Sequence, residues 1–418
     1  MSLSQADCLH LDLPGAAEPS PGRWAALAAR FAPGAAGNLY FDANSIGPMP
    51  LDAPARMQQV LHEGWAHLRR RSWNELDWLA QPRKLGQALA PLIGCGPEDV
   101  RVTDTTSVNQ YKLLRHALAL AAPRRVIVLE EAVFPSNRYV AEAIAHAGLA
   151  KLRLVPDANG LQEALAPGDV AVVALSHVDY RSSERLDMHA LNRQIRAAGA
   201  LSLWDLSHSV GAVAIDLLGS GADFAVGCGY KYLCGGPGAP SLVYAHPRCA
   251  EKVWPAIGGW MGHADTFAFE PSYRPAPHTD RFLVGTPPVL AHTAFSAAAD
   301  IWREVDPQQM DQRHRSLTDT LITLIDEQCE GLGLVLASPR EHARRGGHVA
   351  YRFEAASPLA QALVDRGVVV SARKPDALRW GVHPLTTTHA QLWAAVQVLR
   401  QVLVEGLWRD PRYAGFSV

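Results

Sequence analysis

From about residue 100 to 245 the chain alternates short, wholly apolar runs with stretches of helical periodicity. The runs are Val126-Ile127-Val128-Leu129, Leu152-Arg153-Leu154-Val155, Val170-Ala171-Val172-Val173-Ala174-Leu175, Leu201-Ser202-Leu203-Trp204, Phe224-Ala225-Val226 and Ser241-Leu242-Val243-Tyr244. Continuous rather than alternating hydrophobicity marks strands covered on both faces, which predicts an α/β fold with a mostly parallel central sheet flanked by helices. Ligands of such sheets bind at the carboxyl ends of the strands. The polar residues just after the runs are therefore the candidates for chemistry: Thr105-Thr106-Ser107, Phe134-Pro135-Ser136-Asn137, Ser176-His177, Asp205 with His208, and Tyr230-Lys231.

On either side the texture differs. Residues 1–50 are rich in Pro, Gly and Ala and end in Asn44-Ser45-Ile46-Gly47-Pro48-Met49-Pro50, an irregular arm of turn formers. From about 52 to 95 apolar residues such as Leu85, Leu89, Leu92 and Ile93 recur at helical spacing until Gly94 and Gly96-Pro97 end the pattern. After about 290 the periodicity predicts amphipathic helices over 308–330 and 388–405, with strands near 348–353, 368–371 and 378–382. The organisation expected is an N-terminal arm (1–50), a large domain (51–290) and a small α/β C-terminal domain (291–418) near which the arm packs.

At 418 residues and a formal charge of −2, with no basic run longer than Arg69-Arg70-Arg71, the chain has no electrostatic footprint for nucleic acid or an anionic membrane. A small-molecule substrate is the expected partner. The N-terminus lacks the layout of a signal peptide and no stretch is apolar enough to span a bilayer, so a cytoplasmic protein is expected. Cys8, Cys95, Cys228, Cys234, Cys249 and Cys329 form no Cys-x-x-Cys pair and lack histidines at metal spacing, which argues against a metal site or a disulfide framework.

Within this frame Asp205 and Lys231 stand out, each at the end of an apolar run. A carboxylate that keeps a pyridine nitrogen protonated and a lysine that holds an aldehyde as a Schiff base are what pyridoxal-phosphate chemistry requires. Of the six lysines, Lys84, Lys112, Lys151, Lys252 and Lys374 sit in segments that read as solvated surface; Lys231 alone follows a strand-like run. A strand-end lysine with its head in water fits the spacing too. Thr105-Thr106-Ser107 before a helix suits either a phosphate or simple capping. Phe134 suits either a ring that stacks on a flat cofactor or a packed loop, and His208 either a cofactor contact or a structural histidine. Arg379 offers a planar guanidinium for an amino-acid carboxylate, or is one more surface arginine.

Taken together these residues resemble the fold-type I pyridoxal-phosphate-dependent transferases of the class V aminotransferase group, and within it the kynureninases. The similarity runs through residues 204–212, 221–233 and 235–240 around the lysine. It continues in Asn44-Ser45-Ile46-Gly47, Thr105-Thr106-Ser107-Val108-Asn109, Phe134-Pro135-Ser136-Asn137, Gly285-Thr286-Pro287-Pro288 and Leu378-Arg379-Trp380-Gly381. The resemblance implies that Lys231 binds pyridoxal 5′-phosphate, Asp205 pairs with its ring nitrogen, Phe134 stacks on the ring and His208 touches it. It implies further that Thr106, Ser107, Ser176 and Tyr230 line the cofactor, and that Trp260 and Thr286 reach the phosphate from the partner subunit of a homodimer. Arg379, with Asn44 and Ser45, would bind the substrate.

The implied reaction is hydrolysis of L-kynurenine, or its 3-hydroxy form, to anthranilate (or 3-hydroxyanthranilate) and L-alanine by Cβ–Cγ cleavage. Lys231 would move the Cα proton and Tyr230 would donate or relay one. Three positions depart from the family pattern: Ala43 in place of Gly, Ser182-Ser183 in place of Thr-Gly, and Thr386-Thr387-Thr388 where an aromatic residue is expected. They leave the cofactor block untouched and bear on the aryl pocket. The alternatives are a class V enzyme acting on another amino acid, whether an aminotransferase, a kynureninase-like hydrolase or a desulfurase with Cys329 as nucleophile, and a cofactor-binding protein without catalysis.

Overall fold

Each of the six apolar runs forms a strand in the computed structural model, which describes residues 3–13, 21–35 and 37–414. With one further strand they build a seven-stranded sheet from β1 (Val100–Thr103), β2 (Val126–Glu130), β3 (Lys151–Val155), β4 (Val170–Ser176), β5 (Leu201–Asp205), β6 (Phe224–Gly227) and β7 (Ser241–Ala245). The spatial order is β1-β7-β6-β5-β4-β2-β3. Strands β3, β2, β4, β5 and β6 pair in parallel, and β7 runs antiparallel to both β6 and β1.

The sheet is covered on both sides, which is why its strands read as unbroken apolar runs. One face packs Ile127, Leu129, Leu203 and Phe224 against Leu113, Leu114, Ile144 and Phe282. The other packs Val128, Leu175, Trp204 and Leu242 against Leu85, Leu89, Phe295 and Trp302. The β4–β5 register sets Ser176 beside Asp205, so both reach the carboxyl edge together. Beyond that edge the chain turns into the helices Thr106–Leu120 and Pro135–His146, whose N-termini therefore face the same region.

A second sheet is formed by β8 (Val335–Leu336), β9 (Val349–Arg352), β10 (Ser371–Arg373) and β11 (Ala377–Trp380), in the order β10-β11-β9-β8 and antiparallel throughout. Helices Pro307–Gln328 and His389–Val404 share its core through Leu317, Leu321, Leu378, Trp380, Leu392 and Leu399. Both start with side-chain caps: Asp306 accepts from the Gln309 N–H, and Thr388 forms a reciprocal capping box with Gln391. Leu39–Tyr40 pairs in parallel with Val368–Val369, and the Gly381 N–H donates to the Phe41 carbonyl at 2.7 Å. These bonds lay Asn44 and Ser45 against the end of β11.

Two expectations need correction. The apolar periodicity of 52–95 does not make one long helix: it breaks into Ala53–Gln59, a π-helix Val60–Leu68, and shorter pieces ending in Gln81–Leu89 and Pro91–Ile93. Gly64 lies so close to Trp78 that a Cβ there would sit 2.5 Å from the indole, and Ser72 Oγ donates to the Gly64 carbonyl, so packing sets the path here. Lys112 is not a surface lysine. It is buried, with Nζ 2.5 Å from Asp104 Oδ2 and 2.7 Å from the Phe282 carbonyl, and its place on the core face of a helix reflects a fixed ion pair rather than solvation.

Candidate active site

At the carboxyl edge of the large sheet a cleft of about 240 Å³ gathers residues from five separate segments. Asp205, the last residue of β5, is fixed through both oxygens: Oδ2 accepts from Asn137 Nδ2 at 2.8 Å and Oδ1 from the Ser207 N–H at 2.9 Å. Lys231 stands in the turn after β6, its Nζ 3.0 Å from His208 Nε2 and 5.9 Å from the ring centres of Phe134 and Tyr230. That turn is pinned from behind. The Gly47 N–H donates to the Tyr230 carbonyl at 2.9 Å, and a Cβ on Gly47 would come within 2.2 Å of the Lys231 carbonyl.

The cleft's electrostatics follow from burial. His208 is held well below the ordinary imidazole range, first by desolvation and then by the Lys231 charge, so it is neutral and able to accept from the lysine. Burial, followed by the nearby Cys228 thiol, pushes Tyr230 up, so its phenol stays protonated and remains a donor at neutral pH. Phe134 keeps 40% of its surface exposed, its ring set edge-on to Tyr180 at 5.3 Å and 89°. A flat ligand can lie on that open face.

At the far end Thr105 caps the helix Thr106–Leu120 by accepting from the Val108 N–H, which leaves the hydroxyls of Thr106 and Ser107 out of the capping role. Thr106 and Ser107 line the cleft, and Thr106 Oγ1 meets Cys228 Sγ at 3.2 Å. Unpaired N–H groups and the dipole at such a helix start favour an anion. A carboxylate held by two donors, a lysine, an exposed aromatic face and an anion-binding helix start within one cleft form a donor set that fits pyridoxal phosphate.

Arg379 reaches this region from β11. Its side chain is 1% exposed; Nη1 donates to the Tyr180 carbonyl at 2.8 Å and Nη2 to Ser371 Oγ at 3.0 Å, with Ser45 Oγ at 3.5 Å. Nε is buried without a partner. Burial, then Arg373, lowers its proton affinity to about 10, which still leaves it cationic at neutral pH. Asn44 is equally buried, with both amide atoms unpaired, and Gly381 presses on it so closely that a Cβ there would meet Oδ1 at 2.1 Å. Buried polar groups normally have partners, so the unpaired Arg379 Nε and the Asn44 amide retain hydrogen-bonding capacity beside the cleft.

Lys231, Tyr230, Asp205, His208, Phe134, Ser176, Thr106 and Ser107 line one cleft, and Arg379 and Ser45 meet beside it. Trp260 and Thr286 do not line it: Trp260 packs edge-on against Phe267 at the surface and Thr286 is exposed ahead of the helix Val289–Trp302. Asn137, Ser207, Cys228 and Tyr180 were not assigned roles from the sequence. Asn137 had a signal, since it closes the segment that carries Phe134, but the others depend on how loops converge. Ala43 packs with Ala212 and Tyr232, Ser182 faces a neighbouring cleft, and Thr388 caps a helix. Among the described residues the late thiol, Cys329, is 3% exposed at a helix end, with its proton affinity raised to about 11 by burial, which disfavours a desulfurase nucleophile there.

Residues 310–399 match the Kynureninase C-terminal domain family. A protein named Kynureninase from Burkholderia mallei (strain SAVP1) is 41% identical over 91% of this chain and 92% of its own length. A Kynureninase from Pseudomonas fluorescens is 40% identical over 97% of both chains. Among solved structures the cysteine desulfurase CsdA from Escherichia coli superposes with a TM-score of 0.74 over 92% of this chain and 98% of its own, at 18% identity. A C-DES mutant with glycine covalently linked to its PLP cofactor gives a TM-score of 0.74 at 18% identity, over 89% of this chain and 98% of its own. The architecture is thus the fold-type I one, and with two-fifths identity sustained along nearly the whole sequence the chain belongs to the kynureninase family.

Proposed function

We propose that this chain is a pyridoxal-phosphate-dependent hydrolase that cleaves L-kynurenine, or its 3-hydroxy form, between Cβ and Cγ to give L-alanine and anthranilate or 3-hydroxyanthranilate. The observation that carries the reading is the convergence of Lys231, Asp205 and the open face of Phe134 in one cleft, with a buried, underused guanidinium from the second sheet beside it. Family membership narrows the substrate class.

Bound pyridoxal phosphate supplies an electron sink for the carbon next to the substrate amine. Asp205, oriented by Asn137 and Ser207, keeps a proton on the ring nitrogen. Thr106 and Ser107 hold the phosphate at the helix start, with Ser176 at the strand edge. Arg379 takes the α-carboxylate through a bidentate pair, helped by Ser45 and Asn44, and so turns the Cα–H bond toward Lys231. Lys231 removes that proton, with His208 accepting from its amine. Tyr230, whose phenol stays protonated, serves the later proton transfer at Cβ as water adds to the γ-carbonyl and the aryl fragment leaves. Water and substrate together account for both products.

The reading includes a cytoplasmic homodimer. All six cysteines are free, which suits a reducing compartment. Trp260 and Thr286, exposed and away from this chain's own cleft, suit a role in the site of a second subunit. The test is to add L-kynurenine and 3-hydroxy-L-kynurenine to purified protein with pyridoxal phosphate, assaying alanine and the aryl amine together. Equal amounts of both are expected. Cofactor binding without either product would refute the substrate assignment.

A further inference from the structure

Beside His208 lies a second fully buried imidazole with no stated role. His348 precedes β9, is 0% exposed, and its ring centre is 5.7 Å from that of His208 at an interplanar angle of 61°. His208 Nδ1 and both nitrogens of His348 are buried without hydrogen-bond partners. The backbone of His348 is fixed, since its N–H donates to Ser183 Oγ at 3.1 Å. Three orphaned ring nitrogens side by side cost free energy unless they satisfy one another.

We propose that His348 is a positioning residue that accepts the Nδ1–H of His208 through one buried water, and so holds His208 in the tautomer whose Nε2 accepts from free Lys231. The proton count fits. A neutral imidazole carries one proton, so His208 that accepts at Nε2 must donate at Nδ1, into a space where His348 is the neighbouring ring. His348 in turn has one N–H to give. The Arg181 carbonyl is near enough to raise its proton affinity although short of hydrogen-bond geometry. The result is a directed row from the Lys231 amine through His208 and His348 to the 179–183 turn, whose Tyr180 carbonyl also holds Arg379. The charged and titratable groups facing the pair are Lys231, Arg379, Arg373 and His314, all of which disfavour a second proton on either ring.

This inference rests on the reading of Lys231 as the group that moves the Cα proton, but one arm of its test does not. In full-length protein with labelled histidine, nitrogen chemical shifts give the His208 tautomer with Lys231 free of cofactor; the expected result is a proton on Nδ1. H348F, which keeps a ring without an acceptor, should shift His208 toward the Nε2–H form and move the acidic limb of the kcat–pH profile down by about one unit, the tenfold loss expected for one such bond. H348Q, which restores an acceptor, should return the limb to within about 0.3 unit. KM should change little in either. An Nε2–H tautomer in the unsubstituted protein would overturn the proposal even if H348F fails to fold. So would an unchanged tautomer and profile in folded H348F, or an H348Q that behaves like H348F. Absence of kynurenine turnover would undo the functional reading and leave the tautomer measurement standing.

Discussion

Replacing Arg379 by Lys tests whether the buried guanidinium is a substrate carboxylate site. The guanidinium is committed on one side to the Tyr180 carbonyl and Ser371 Oγ, which leaves its unpaired Nε edge free for a ligand. Lysine keeps a cation but replaces a two-pronged donor by a point charge, so at most one of the paired bonds survives. A hydrogen bond to a charged group is worth about 1.5–3 kcal/mol, which corresponds to a loss of roughly 12- to 150-fold in kcat/KM. Because the carboxylate contact exists before and during the reaction, most of the loss should appear in KM. Burial that brings Arg379 down to about 10 presses harder on a lysine, whose unperturbed value starts lower, so the R379K variant should lose further affinity as the pH rises above neutrality. Initial rates against kynurenine concentration at several pH values, with cofactor absorbance as the check on an intact site, provide the measurement. A KM within about twofold of the parent, with the cofactor bound, would show that Arg379 is a structural arginine and that the carboxylate lies elsewhere.

Three further outcomes follow from the same geometry. Asn137→Leu removes one of the two donors on Asp205 and should weaken pyridoxal phosphate binding by about 5- to 30-fold, measured by equilibrium titration of the cofactor; unchanged affinity would mean that the Ser207 N–H alone orients the carboxylate. Glu130, half-buried at the end of β2, has its proton affinity raised from 4.5 to about 7, first by desolvation and then by the charges of Asp179, Asp157 and Glu184. The unfolded chain releases this proton first, so the group costs stability as pH rises from 4.5 to 7 and the cost is complete above 7. At 1.36 kcal/mol per unit over about 2.5 units, Glu130→Gln should stabilise the fold by about 3 kcal/mol at pH 8 and little at pH 4, as read from denaturant titrations at the two pH values. Gly47→Ala places a methyl 2.2 Å from the Lys231 carbonyl and 2.6 Å from Cys234 Sγ, so the lysine turn must shift; a fall in Tm together with more than tenfold loss of activity is expected, and wild-type activity would show the turn to be compliant.

The sequence by itself determined the class of fold and the cofactor. Strands buried on both faces must be apolar throughout, so the six runs of the large sheet are visible without coordinates, and two of them lead straight into site residues at the strand ends, Ser176 in β4 and Asp205 in β5. The helices Pro307–Gln328 and His389–Val404 are legible because amphipathic spacing and capping are local properties. Asp205 and Lys231 could be paired because strand-end position and residue chemistry are both local. What tertiary structure alone decided is which distant segments meet. Nothing in the order of residues says that Asn137 bonds to Asp205, that Gly47 backs the lysine turn, or that His348 lies beside His208, since such contacts depend on loop paths and crossovers. The region 52–95 makes the same point from the other side: its periodicity is helical, yet the crowding of Gly64 by Trp78 breaks it into pieces. Lys112 and Arg379 look like any solvated cations in the sequence. Burial against Asp104 in one case and Tyr180 in the other sets each apart from them, because the cost of taking a charge out of water is set by the surrounding fold and not by the residue.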